Sequence, residues 1–171
     1  MPNIADKEIF LHPGEWAFEA GHVRISTLLG SCVAIVLWHP QLQLGGMCHY
    51  LLARRNGPSD TLSGRYGEEA MLLLLRAVLG CGRPLHEFQC HLLGGASVLA
   101  HPDGDHQHDV AGHNIEQARQ MARQLGLQVQ SESLGGCCPR LVVLDVQTGE
   151  VRVRLSQESE LPALTTKRKK A

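Results

Sequence analysis

The chain has 171 residues, of which 43% are hydrophobic, 19% charged and 4% aromatic, and its formal net charge is −1. That apolar content suffices for a core and excludes wholesale disorder, while the length fits one domain. Four of the sixteen basic residues lie in the tail Lys167-Arg168-Lys169-Lys170, leaving twelve against seventeen acidic residues, so the body lacks the basic surface by which a nucleic-acid binder holds phosphates.

From the N-terminus, Met1–Glu8 shows no apolar run behind a basic start, so no secretory signal is expected. The longest apolar stretch, Ala70–Leu75, falls far short of the roughly 20 residues a membrane-spanning helix needs. The chain therefore reads as soluble and cytoplasmic, and its six cysteines as reduced thiols rather than a disulfide framework.

Val23–Thr27 alternates apolar and polar residues and predicts a short strand, with Leu28-Leu29-Gly30-Ser31 as a turn. Cys32–Trp38 is a continuous β-rich run, the pattern of a strand buried on both faces. His39-Pro40 closes it, because proline has no N–H to donate. Another strand candidate lies within Leu42–Leu52, interrupted by Gly45-Gly46. Cys32–Trp38 and Leu44–Leu51 are predicted to form a hairpin. Asn56–Arg65 reads as loop. A helix is predicted over about Glu68–Leu79, stopped by Gly80 and Gly82-Arg83-Pro84.

His86–Leu93 is the next strand, ending at Gly94-Gly95, and Ala100–His113 a polar, His-rich loop. Asn114, with Gln117 three residues on, predicts a capped second helix. Ile115, Ala118, Met121, Ala122 and Leu125 form its apolar face, and Gly126 its stop. Leu127–Gln130, Arg140–Val146 and Val151–Leu155 read as strands, with Thr148-Gly149-Glu150 as a hairpin turn. The order implies an α/β, single-domain layered fold with a mixed β-sheet packed by two main helices. It would span residues 1–160, with a basic, frayed tail at 161–171.

Six cysteines and ten histidines raise the question of metal. Structural zinc sites pair ligands at short spacing, and no C-x2-C is present. His101, His106, His108 and His113, with Asp103, Asp105 and Asp109, match no common zinc pattern, so no metal and no cofactor are expected. Cys137-Cys138 reads as incidental, since adjacent cysteines close a strained disulfide.

Cys32 stands apart. It follows Leu29-Gly30-Ser31 and opens an apolar strand, a junction that can present a nucleophile from a rigid sheet. A neutral thiol is a poor nucleophile and needs a base. His49, in Gly45-Gly46-Met47-Cys48-His49-Tyr50, lies on the strand predicted to pair with that of Cys32. The two open ends of the hairpin carry Cys32 and His49. The glycine pair leaves room for another chain or a ligand to approach.

Ser26-Thr27-Leu28-Leu29-Gly30-Ser31-Cys32-Val33 and Gly45-Gly46-Met47-Cys48-His49-Tyr50-Leu51-Leu52 resemble the CheD family of chemoreceptor glutamine deamidases. The likeness continues through Tyr66 with Ala70-Met71, Leu93-Gly94-Gly95-Ala96-Ser97, Gly112-His113-Asn114, Gly135-Gly136 with Arg140, and Thr148-Gly149-Glu150-Val151. It covers about residues 14–155. The resemblance implies a protein-glutamine amidohydrolase that converts glutamines of methyl-accepting chemotaxis receptors to glutamate with release of ammonia. It implies a fold similar to bacterial toxin deamidase domains. The nucleophile falls on Cys32 and the base on His49. A third catalytic hydroxyl falls on Ser26 or Thr27. Candidate oxyanion donors are backbone N–H groups around Ser31-Cys32 or Gly94-Gly95. Some family members pair with the phosphatase CheC.

Three departures stand out: His113 replaces the usual arginine of the G-R-N element, Ser133 stands where aspartate is frequent, and the His101–Asp109 loop is long. None touches Cys32 or His49. The rival readings are a non-catalytic module binding receptors or phosphatases, a small zinc protein, and a papain-like protease.

Overall fold

The computed structural model describes residues 4–97 and 109–156. In chain order the elements are β1 (Lys7–Leu11), β2 (Trp16–Ala20), β3 (Val23–Leu29), β4 (Val33–His39), β5 (Leu44–Tyr50), α1 (Gly67–Gly80), a 3-10 turn at Leu85–Glu87, β6 (Gln89–Gly94), α2 (Val110–Leu125), β7 (Gln128–Leu134), β8 (Arg140–Asp145) and β9 (Val151–Leu155). The α/β architecture with two main helices holds, and its strands form two mixed sheets, ordered β1-β3-β8-β9 and β2-β5-β4-β6-β7. β1 runs parallel to β3, and β6 parallel to β7; the other pairings are antiparallel. Among the described residues no helix is long and apolar enough to cross a membrane.

The molecule has three layers, and β4 shows why. All seven of its residues are buried. Successive strand side chains face opposite ways, so Val33, Ile35 and Leu37 join Ala70, Met71, Leu74, Ala118 and Met121 in the core beneath the helices. Ala34, Val36 and Trp38 join Ile25, Leu29, Val142 and Leu144 in a second core between the sheets. A strand sandwiched on both faces has no polar parity, which is why Cys32–Trp38 reads as a continuous apolar run.

The hairpin forms as expected, with Ala34 opposite His49 and His39 opposite Leu44. The role read for Gly45-Gly46 is corrected. A Cβ at Gly45 would collide with the Leu37 carbonyl, and one at Gly46 with the Ala17 carbonyl. Neighbouring strands therefore occupy the space assigned to a ligand.

Other boundaries move for local reasons. β3 continues through Leu28 and Leu29, because both pair with β8. The strand expected from His86 starts at Gln89: Pro84 leads instead into the 3-10 turn, and Glu87 Oε2 meets His39 Nε2 at 2.6 Å. α2 begins at Val110 rather than at Asn114. Asp109 is its cap, its side chain accepting from Gly112 N–H at 2.8 Å. Residues 109–113 thus belong to the helix and its cap, not to a loop. β1 and β2 were not legible, being short, half-exposed and without a clean alternation. The tail at 161–171, the domain end at 160, and His101, His106 and His108 lie outside the described residues.

Candidate active site

β3 lies in the four-stranded sheet and β4 in the five-stranded one, so Gly30-Ser31-Cys32 is the crossing between them. Three successive carbonyls of this crossing are each held by a donor. Gly30 O accepts from Ala96 N–H at 2.8 Å, and Cys32 O from Gly95 N–H at 2.8 Å. Ser31 O accepts from Asn114 Nδ2 at 3.0 Å. The nucleophile candidate thus sits on a turn fixed at every residue.

Cys32 lies two residues before Ala34, the partner of His49. Residues two apart share a strand face, and such diagonal neighbours lie about 7–8 Å apart at the backbone, within reach of an imidazole. Cys32 packs with Ala34 and Met47 against the inter-sheet core, and the His49 side chain enters the same layer. There its Nδ1 lies 2.6 Å from Thr27 Oγ1.

That contact fixes the histidine tautomer. The Thr27 hydroxyl has one hydrogen, donated to Leu11 O at 2.7 Å. Toward His49 it can therefore only accept, so Nδ1 carries the ring proton and Nε2 keeps a bare lone pair. Nε2 is buried and has no hydrogen-bond partner among the described residues. The backbone of His49 is equally held: its N–H donates to Glu15 O at 3.1 Å, and its O accepts from Gly14 N–H at 2.8 Å.

Burial, and the neighbouring His12, lower the His49 pKa to about 4 against a smaller opposing pull from Glu15. Burial raises the Cys32 thiol. Both shifts favour the uncharged forms, so the resting pair is neutral thiol and neutral imidazole rather than thiolate and imidazolium. Cys48 and Cys90 are fully sequestered, and burial pushes both up to about 12, which removes them as nucleophiles.

Of the expected site residues, His49 and Thr27 are in hydrogen-bond contact, and Cys32 packs against the same inter-sheet core, diagonal to His49 in the hairpin register. Ser26 does not join them. β3 buries Val23, Ile25, Thr27 and Leu29 on one face, and Ser26 faces the other way into a shallow cleft shared with Glu8, Arg24, Asp145 and Arg152. The Gly94-Gly95 pair also takes a different part. Gly95 N–H is already committed to Cys32 O. Both glycines adopt positive φ, and a Cβ at Gly94 would strike the Cys32 carbonyl. They buttress the turn from behind, where no side chain fits. Ser31 contributes its carbonyl to Asn114.

Residues that sequence reasoning did not assign complete the site. Leu11 supplies the carbonyl that orients the Thr27 hydroxyl. Asn114, read as a helix cap, is wholly buried and donates to both Ser31 O and Leu51 O. Tyr50 O–H donates to Asn114 O at 2.5 Å. Beside Asn114 an open groove of about 440 Å³ runs between Leu52, Arg54, His113 and Gln117.

A family model described as CheD chemotactic sensory transduction matches residues 51–155. The chain belongs to the CheD family. A "probable chemoreceptor glutamine deamidase CheD 1" of Chromobacterium violaceum is 57% identical over 158 residues, 92% of this chain and 82% of that protein. A "probable chemoreceptor glutamine deamidase CheD 3" of Dechloromonas aromatica is 42% identical over 90% of both chains. One from Pseudomonas savastanoi pv. phaseolicola is 41% identical over 86% of this chain and 84% of its own. The CheD model match begins at Leu51, beyond Cys32 and His49, whereas the alignment to the Chromobacterium protein is long enough to include both.

Proposed function

We propose that this chain is a chemoreceptor glutamine deamidase in which Cys32 is the nucleophile, His49 the general base and Thr27 the residue that orients His49. Family membership and the names of the relatives support the reaction. The observation that carries the mechanism is the Leu11–Thr27–His49 chain of hydrogen bonds, which leaves His49 Nε2 as a bare base on the face shared with Cys32.

The steps balance without a cofactor. His49 Nε2 takes the Cys32 proton as the sulfur attacks Cδ of the substrate glutamine, forming a C–S bond and a tetrahedral oxyanion. The imidazolium returns that proton to the amide nitrogen, the C–N bond breaks, and ammonia leaves a thioester. Water then gives a proton to His49 and attacks the same carbon. The C–S bond breaks, glutamate is released, and the thiolate recovers its proton. Because the resting pair is neutral, charge separates only when substrate is bound and water displaced, where Thr27 stabilises the imidazolium by accepting from Nδ1.

The substrate is the cytoplasmic part of a chemoreceptor, and a cytoplasmic location follows from it. Incubating the protein with a receptor cytoplasmic fragment should release ammonia and give the mass gain of a glutamine-to-glutamate exchange. An unchanged fragment mass with no ammonia overturns the reading. Adding a CheC phosphatase, the partner the family resemblance implies, to the same assay tests that interaction through the initial rate.

The two hydroxyls on β3 separate cleanly. Thr27→Val should lower kcat by roughly 100-fold, as loss of an orienting hydrogen bond does, and Thr27→Ser should restore most of it. Ser26→Ala should stay within about twofold, since its side chain lies on the far face of the sheet. Equal losses at both positions would contradict the assignment.

A further inference from the structure

We propose that Asn114 is a positioning residue of this reaction: its carboxamide holds the Ser31–Cys32 peptide so that the Cys32 N–H faces the developing oxyanion. The inference rests on the deamidase reading above and adds to it the element that stabilises the transition state.

The orientation of the Asn114 amide is unambiguous. Both of its partners, Ser31 O at 3.0 Å and Leu51 O at 2.8 Å, are carbonyls and can only accept. The nitrogen must face them, which turns Oδ1 away. Oδ1 is then buried with no partner among the described residues, an arrangement that works against stability. The side chain is thus placed to serve the two carbonyls, not to satisfy itself.

What it holds is specific. Ser31 C=O and Cys32 N–H belong to one planar trans peptide and point in opposite directions. Anchoring the oxygen on Asn114 aims the N–H away from α2. A hydrogen bond to the carbonyl also polarises the peptide and makes its N–H a stronger donor. The carbonyls of the two adjoining peptides, those of Gly30 and Cys32, are held by Ala96 and Gly95, so the turn cannot rotate as a unit. Donors preorganised where charge develops are worth far more than donors that must reorient during reaction.

Asn114 also couples the two halves of the site. Leu51 follows Tyr50 at the end of β5, the strand of His49, and Tyr50 O–H donates to the Asn114 main-chain oxygen at 2.5 Å. One residue of α2 therefore ties the turn bearing Cys32 to the strand bearing His49. The α2 backbone is itself fixed by the Asp109 cap, so Asn114 needs no rearrangement to make these contacts.

The test compares wild type with Asn114→Ala in two reactions that differ in their transition states. Deamidation of a receptor cytoplasmic fragment passes through an oxyanion. Alkylation of Cys32 by iodoacetamide, followed by peptide mass mapping, displaces iodide at a saturated carbon and forms none. It reports only thiol access and protonation. The expected result is a kcat lower by roughly 100-fold, with KM and the Cys32 alkylation rate each within about threefold. Asn114→Leu, which fills a similar volume, carries the comparison if the alanine variant loses its folded far-UV spectrum.

A variant kcat within about threefold of wild type overturns the proposal. So does a parallel fall in kcat and alkylation, which would make Asn114 a strut for the thiol. Unfolding of both variants assigns the residue to stability and overturns it as well. Failure of the wild type to release ammonia would instead remove the deamidase reading itself.

Discussion

Cys32→Ala is expected to eliminate ammonia release, with a loss of at least about 10⁴-fold, because removing a covalent nucleophile removes the route and not merely an interaction along it. The fold should survive. Cys32 is only partly buried, at the margin of the inter-sheet core, and its backbone contacts through Gly95 do not involve the sulfur. Thermal unfolding within a few degrees of wild type, with no detectable turnover, is the result that fits. Retention of most activity would sink the covalent mechanism. Binding of the receptor fragment should be unchanged, which separates loss of chemistry from loss of docking.

The part of this site that was legible in the sequence is the part carried by short-range pattern. The β4–β5 hairpin follows from an apolar run, a proline-containing connection and a second run. Its register places Cys32 and His49 diagonally with no further information. The choice between Ser26 and Thr27 was also within reach. Val23, Ile25 and Leu29 share the parity of Thr27, and strand side chains alternate; reading the strand as ending at Thr27 cut off the leucine that completes the pattern.

What could not be read was long-range pairing between short polar segments. Leu11 acts through its carbonyl, and a main-chain oxygen leaves no residue-type signal. The local surroundings of Asn114 predict a cap, since asparagine near a helix start usually has that role. In the structure Asp109 fills it, which frees the Asn114 amide for contacts 83 and 63 residues away in sequence. Gly45-Gly46 reads as a place of close approach for another chain or a ligand, and Gly94-Gly95 as a strand end with possible oxyanion donors; at both pairs a Cβ would meet the protein's own backbone or side chains. Gly45 and Gly46 face the Leu37 and Ala17 carbonyls of the strands on either side, Gly94 the Cys32 carbonyl, and Gly95 the Ile115 side chain.

His49→Gln carries the second large effect, and it has a pH signature that Cys32→Ala lacks. Activity should fall by at least about 10³-fold, since glutamine can bond to Thr27 but cannot accept and return a proton. In the wild type the base is already neutral well below neutral pH. With the His49 pKa lowered to about 4 by burial and by His12, against Glu15, the acid limb of kcat/KM should fall near pH 4. An unperturbed imidazole would place it near about 6.5. A limb at the higher value would contradict the burial argument.

Stability gives an independent reading of the same group. Between about pH 6.5, where an unfolded imidazole titrates, and about pH 4, where the folded one does, the unfolded chain binds more protons. The His49 contribution to folding stability is therefore complete above the upper limit and is lost as pH falls through the window, by about 3 kcal/mol in all. Below it both states are protonated and the term no longer changes. His49→Gln removes the titrating ring, so denaturant unfolding of the variant should show a shallower loss between pH 7 and 4 than wild type. Identical slopes for the two proteins would show that His49 is not held neutral by the fold.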